Sequence, residues 1–360
     1  MSAPLLKDQF DQPLLQRLAA AVARQSPGFD TELFVSTLWD EHYLQQSLKQ
    51  RVRRIAGTLY QQLHQPFATA CEILTPVSAE IRGLPGFIFP DIVEQFGLDD
   101  FTTSMQALAN FTCYSTGEFA IRPFFQRYPE QSLQQLQHWA QSANLHHRRL
   151  ASEGCRPRLP WGQILPQFIA DPTPLLPVLQ ALKQDPEDYV RRSVANNLND
   201  ISKDHPALVL QLAEQWHGVH PDTDWILKHA LRGLLKQRHS AALALFGCAP
   251  RRISATLTLA QPVIHYGDAL DFQAQIQADD GPAPLRVEYA IDFASKNGSK
   301  RHKVFQWLQR EYGPGTLQLK KSYRFTDLTT RKHHAGAHQL HLIVNGEIVA
   351  TQAFNLIRDN

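Results

Sequence analysis

The sequence predicts a mainly α chain, an α-solenoid over residues 1–250 followed by a β-sandwich over residues 251–360. Two observations set the boundary. Before residue 250 the segments are long, rich in Leu, Ala and Gln, and apolar at helical spacing. After it, short segments alternate apolar and polar residues, the signature of half-buried strands. A third observation organises the helical part. A short pattern recurs at Val52-Arg53-Arg54-Ile55-Ala56, Met105-Gln106-Ala107-Leu108-Ala109, His147-Arg148-Arg149-Leu150-Ala151, Val190-Arg191-Arg192-Ser193-Val194 and Leu227-Lys228-His229-Ala230-Leu231. The second residues are spaced by 53, 42, 43 and 37 positions, mostly near the length of a HEAT-type helical pair. Such a pair cannot bury its apolar face alone, so stacking supplies the core and leaves a curved solenoid with a concave surface.

Within that part, residues 189–203 show the two faces of a helix. Val190, Val194, Leu198 and Ile201 fall on one stripe, and Arg192, Asn196, Asn199, Asp200 and Lys203 on the other. The polar stripe reads either as solvated surface or as the lining of a groove that tracks phosphates. In the C-terminal part, Ile253, Ala255, Leu257 and Leu259 alternate; so do Leu270, Phe272, Ala274 and Ile276, and Val287, Tyr289, Ile291 and Phe293. Asn345-Gly346 between two apolar runs predicts a type I′ hairpin. About seven short strands fit, the size of an immunoglobulin-like sandwich.

Composition narrows the function classes. The 360 residues carry 36 Lys+Arg and 34 Asp+Glu, a net charge of +2, which excludes a uniformly basic nucleic-acid binder but not a local basic face. Residues 251–360 hold 14 basic and 10 acidic residues, leaving 22 and 24 for residues 1–250, so the parts carry +4 and −2. No apolar run is long enough for a transmembrane helix, and the N-terminus lacks a signal-peptide pattern. Cys71, Cys113, Cys155 and Cys248 are dispersed, as in reduced cytoplasmic proteins. HHRR and RKHHAGAH lack zinc spacing, so no metal is expected.

Three segments carry the chemistry: STGEFAIRPF from Ser115, RRLASEGCRPRLPW from Arg148 and YVRRSVANNLNDISKDHP from Tyr189. Through them the chain resembles the AlkC-type DNA alkylation-repair glycosylases, relatives of the AlkD group. The resemblance covers most of the first 250 residues. NGSKRHKVF and the later VNG resemble the immunoglobulin-like extension of one branch of that family. The resemblance implies HEAT-like repeats cradling double-stranded alkylated DNA, and monofunctional hydrolysis of the N-glycosidic bond of N3-methylated bases. 3-methyladenine is the typical substrate, with 3-methylcytosine attributed to this branch. It implies no metal or organic cofactor, and we expect a cytoplasmic monomer.

The resemblance places the family's acidic pair on Glu118 and Asp200. Asp200 is the candidate to stabilise the oxocarbenium-like sugar and to orient or deprotonate water. Glu118 would contact the cationic base or help position the water. Each has a plain structural reading: Ser115 to Glu118 as a helix capping box, and Asp200 as a surface or capping carboxylate. Trp161 either presents its indole to the sugar or lesion, or packs under its loop. Arg148, Arg149, Arg156, Arg158, Arg191, Arg192 and Lys203 suit phosphates. In the sandwich, basic loops are expected at Lys296, Lys300, Arg301 and Lys303, at Lys320, Lys321 and Arg324, and at Arg331, Lys332, His333 and His334. They would either clamp the duplex or merely solubilise the domain. His333 and His334, where the family more often has aromatic residues, would make a groove contact more polar. The alternative class is a HEAT-repeat scaffold that binds DNA structures or protein partners without chemistry.

Overall fold

A computed structural model describes residues 5–279, 281–295, 301–328 and 331–358. Lys296 and Lys300 lie outside the described residues. The chain divides into two compact units: Met1–Asp204 with Gly218–Ala230, and His205–His217 with Leu231–Asn360.

The first unit is helical. In chain order it holds α1 (Gln12–Gln25), α2 (Thr31–Leu38), α3 (Glu41–Gln45), α4 (Leu48–Leu63), α5 (Phe67–Ser78), α6 (Ile88–Phe96) and α7 (Phe101–Thr112). There follow α8 (Phe124–Arg127), α9 (Pro129–Ala140), α10 (Leu145–Glu153), α11 (Pro166–Ala170), α12 (Leu176–Leu182) and α13 (Asp188–Asp204). After α14 (Pro206–Trp216), which belongs to the second unit, α15 (Pro221–Ala230) completes the first. The starts of several helices are fixed by side chains: Asp11, Asp30, Asp100 and Asn144 each accept a hydrogen bond from a free backbone N–H of the first turn. The five recurring segments fall one each on α4, α7, α10, α13 and α15, the last running one residue past the end of α15. From α7 onward, successive members pack side by side. On α13 the predicted apolar stripe is buried, with Val190, Val194, Leu198 and Ile201 at most 1% exposed, and Asn199 and Asp200 of the polar stripe are buried as well, at 8% and 2%. Burial at about 1.5–3 kcal/mol per large aliphatic side chain makes the apolar stripe the main reason the helix docks.

The second unit joins α14, α16 (Arg232–Lys236) and α17 (Ser240–Leu245) to eight described strands. These are β1 (Ile253–Leu259), β2 (Val263–His265), β3 (Ala269–Ala278), β4 (Ala283–Phe293), β5 (Arg301–Tyr312), β6 (Gly315–Arg324), β7 (Gly336–Val344) and β8 (Glu347–Ile357). They form a three-stranded sheet, β1-β3-β6, and a five-stranded sheet, β2-β8-β7-β4-β5. All pairs are antiparallel except β2 with β8. The alternating residues predicted on β3 and β4 line the core, together with Leu340, Leu342, Val344 and Phe354. Asn345 and Gly346 both have positive φ, 47° and 85°, as a type I′ turn requires.

Candidate active site

Glu118, Glu153 and Asp200 are brought together by α10, α13 and the turn between α7 and α8. Asn144 starts α10 by accepting from the His146 N–H. Gly154 ends it and admits the Glu118 turn, because a Cβ there would stand 2.7 Å from Ile121 Cγ2. Helices α10 and α13 are tied by polar contacts. Ser152 Oγ donates to Ser193 Oγ at 2.6 Å, and the Asn197 amide donates to the Ser152 carbonyl at 2.8 Å. His147, on the other side of α10, bonds Ser142 Oγ and the Ala109 carbonyl, each at 3.0 Å, and so holds α10 against α7.

The three carboxylates alternate with two arginines. Arg149 pairs with Glu118 and, at 3.7 Å, with Glu153. Arg156 pairs with Glu153 at 2.7 Å and with Asp200 at 2.9 Å. Lys203 closes the row at 2.8 Å from the second oxygen of Asp200. Thr116 Oγ1 donates to Glu118 at 2.8 Å and accepts from Arg149 at 2.8 Å. Burial opposes the charge on Arg149 and Arg156, but their flanking carboxylates outweigh it and raise both pKa values above the ordinary arginine value. Behind the row, Arg122 is fully buried and donates to the carbonyls of Gln163 and Gly154, holding the loop after α10 in place. Burial pulls its pKa down to about 10.

Neither plain structural reading of the acidic pair fits. Ser115 Oγ bonds the Gly83 carbonyl instead of capping a helix, and Glu118 sits in a turn ahead of α8. Asp200 lies within α13 and is 2% exposed, so it is neither surface nor cap. Trp161 is not core: it is 60% exposed and held at φ 64°, a conformation that costs a non-glycine residue about 1 kcal/mol or more. Lys49 Nζ donates to its carbonyl. Trp161 rims a hollow also lined by Lys49, Phe87, Asp91, Thr116 and Phe119. Burial, reinforced by Glu94, pushes the Asp91 carboxyl up to about 6.

The arginines separate by role. Arg148 grips the buried Asp185 at 2.6 and 3.1 Å and donates to the Ser142 and Ala143 carbonyls. Arg149 and Arg156 serve the carboxylates. Arg191 bonds the Asp185 and Pro186 carbonyls, each at 2.7 Å. Arg192 and Lys203 are exposed, and Arg158 faces solvent while paired with Asp204. In the second unit, Arg301 and Lys303 are exposed on β5, and Lys320, Lys321 and Arg324 lie on β6, so these residues are on strands and not in loops. Arg331 is turned inward, over the Phe293 ring and onto Tyr323 Oη at 2.7 Å. His333 is 1% exposed among Phe293, Tyr323 and Phe325, so it cannot form the polar groove contact expected of it.

Sequence reasoning missed Glu153 and Arg122. Both stand inside the quoted segments. The signal for Glu153 was its spacing of four from Arg149, which puts the two on one side of α10, with Arg156 three residues beyond in the turn that follows.

Residues 49–234 match the family described as DNA alkylation repair enzyme. The chain belongs to that family. Residues 254–358 match a second description, the C-terminal Ig-like domain of the uncharacterised protein YhaZ. The chain is similar to the protein named YhaZ of Bacillus subtilis (strain 168), at 44% identity over 357 residues, with 95% of this chain and 97% of that protein covered. Among solved structures it is similar to the Pseudomonas fluorescens alkylpurine DNA glycosylase AlkC, bound to DNA containing an abasic site analogue. The TM-score is 0.95 at 36% identity, covering 98% of this chain and all of that one. The fold is therefore AlkC-like, a helical part followed by an Ig-like domain.

Proposed function

We propose that this chain is a monofunctional DNA glycosylase that hydrolyses the N-glycosidic bond of cationic N3-alkylated bases, 3-methyladenine first and 3-methylcytosine second, and leaves an abasic site. The observation that carries the reading is the buried row of Glu118, Glu153 and Asp200, held in place by Arg149 and Arg156. In this reading residues 1–250 form the HEAT-like solenoid that cradles the duplex, residues 251–360 form the Ig-like domain, and the enzyme acts as a cytoplasmic monomer without a cofactor.

The chemistry suits such a row. Alkylation at N3 makes the base a cationic leaving group, so little acid catalysis is needed. As the bond breaks, positive charge moves to C1′ of the sugar. A fixed carboxylate about 4 Å from that centre contributes on the order of 4 kcal/mol at an effective dielectric of about 20. Asp200 takes this role and orients the attacking water. Glu118 faces the cationic base. Glu153 is a positioning residue that keeps Arg149 and Arg156 between the other two carboxylates. The shallow site favours exposing the lesion by bending DNA over drawing it into a deep pocket. Trp161 then packs against the opened sugar or base, and Arg158, Arg192 and Lys203 hold phosphates.

The test is release of free base from defined duplexes. Methylated DNA should yield 3-methyladenine, and DNA containing hypoxanthine, a neutral lesion, should yield almost none. DNA binding without base release would instead identify a non-catalytic scaffold.

A further inference from the structure

The second unit carries a cluster that the glycosylase reading does not use. Asp292 on β4, His302 on β5 and His341 on β7 present one ligand atom each, all within 4.8 Å of one another. The sheet register produces the meeting. Asp292 lies opposite His302 across the β4–β5 pair and opposite Gln339 across β4–β7, with His341 two residues further along β7. Core residues Ile291, Phe293, Leu340 and Leu342 alternate with the cluster, so it stands on the face of the five-stranded sheet turned away from the core. His302 Nδ1 is 2.6 Å from one oxygen of Asp292, and His341 Nε2 is 3.1 Å from the other. Thr351, paired with His341 on β8, places its Oγ1 2.9 Å from His341 Nδ1.

We propose that Asp292, His302 and His341 form a binding site for a borderline divalent transition-metal ion, with Zn2+ as the reference ion. Two imidazoles and one carboxylate are a donor set such ions take. Tetrahedral zinc with bonds near 2.0–2.1 Å needs donors about 3.3 Å apart, so the ion enters by widening the Asp292–His302 and Asp292–His341 contacts of 2.6 and 3.1 Å, with all three donor atoms already within 4.8 Å of one another. Thr351 supplies the outer hydrogen bond that fixes the His341 ring with Nε2 turned to the metal, as ligating histidines ordinarily require. Three protein donors leave a fourth position for water on the exposed His302 side. The ligands are separated by 10 and 39 residues along the chain, so spacing motifs cannot reveal them. The site is independent of the glycosylase reading.

The experiment uses the full chain, stripped with a chelator and titrated with Zn2+ against a chromogenic competitor. Wild type is expected to take one ion that His302→Gln and His341→Gln each weaken at least tenfold. Thr351→Val keeps all three ligands and is expected to weaken binding about tenfold. Co2+ should give the intense visible bands of a four-coordinate ion in wild type and not in the His302→Gln/His341→Gln double variant. Zinc should also raise Tm in wild type and not in that double variant, whose unliganded melting curve checks its folding. Equal zinc affinity in wild type and double variant, or no competitive binding by wild type, would overturn the proposal.

Discussion

Three carboxylates cannot share a buried site unless cations stand between them, and Arg149 and Arg156 occupy those positions. Removing one member therefore leaves its neighbours with unmatched charge. Glu153→Gln is expected to cost roughly 2–4 kcal/mol of stability and to slow base release, because Arg149 and Arg156 lose their shared partner; a melting curve and a single-turnover rate measure both. Trp161 behaves oppositely. It is exposed and conformationally strained, so Trp161→Ala should change stability by less than about 1 kcal/mol while lowering base release at least tenfold. Unchanged release would remove Trp161 from the site. His333 sets a pH dependence. Burial, with Arg331 nearby, lowers its pKa to about 4 from the ordinary 6.5. The folded state thus favours the neutral ring, and the stability this confers is present above pH 6.5 and lost as pH falls toward 4. The loss amounts to on the order of 3 kcal/mol. His333→Phe should flatten the fall in Tm between pH 7 and 5; an unchanged slope would place the sensitivity elsewhere.

At the scale of elements, what depends on local periodicity was legible. The stripe on α13, the alternation on β3 and β4 and the Asn345-Gly346 turn all follow from geometry within a few residues. What depends on a distant partner was not. Arg148 and Arg149 are neighbours on α10, about 100° apart around the helix, and only the positions of Asp185 and Glu118 send one to a structural tie and the other to the site. Likewise Ser115 looks like a cap until the Gly83 carbonyl claims its hydroxyl. Lys320 and Lys321 look like a loop until β6 pairs with β3 along its whole length. The close approach at Gly154 carries a prediction: Gly154→Ala forces its Cβ against Ile121 and the Leu150 carbonyl, at 2.7 and 3.0 Å. It should displace the Glu118 turn, cost about 1–3 kcal/mol and reduce activity, as read by melting and base release. An alanine variant with wild-type activity would show that the turn has room to move.

At the scale of the molecule, a net charge of +2 joins a slightly acidic first part to a basic second part. In the first unit Arg149 and Arg156 are buried between the carboxylates, whereas Arg192 and Lys203 are exposed, each beside one acidic partner, Asp188 and Asp200. If the sandwich contributes, Arg301 and Lys303 are the exposed cations of β5 to remove. Arg301→Ala/Lys303→Ala should weaken duplex binding and lower the salt slope by about 0.9 for each phosphate that is no longer neutralised. An unchanged slope would show that the sandwich does not clamp DNA through these residues. The proposed chemistry stands or falls with the carboxylate row. The deciding quantity is the single-turnover rate of 3-methyladenine release from methylated duplex DNA, by the intact chain and by Asp200→Asn. Measurable release is expected from the former and at least a hundredfold slower release from the latter, with DNA affinity largely kept. Equal rates for the two would contradict the role given to Asp200.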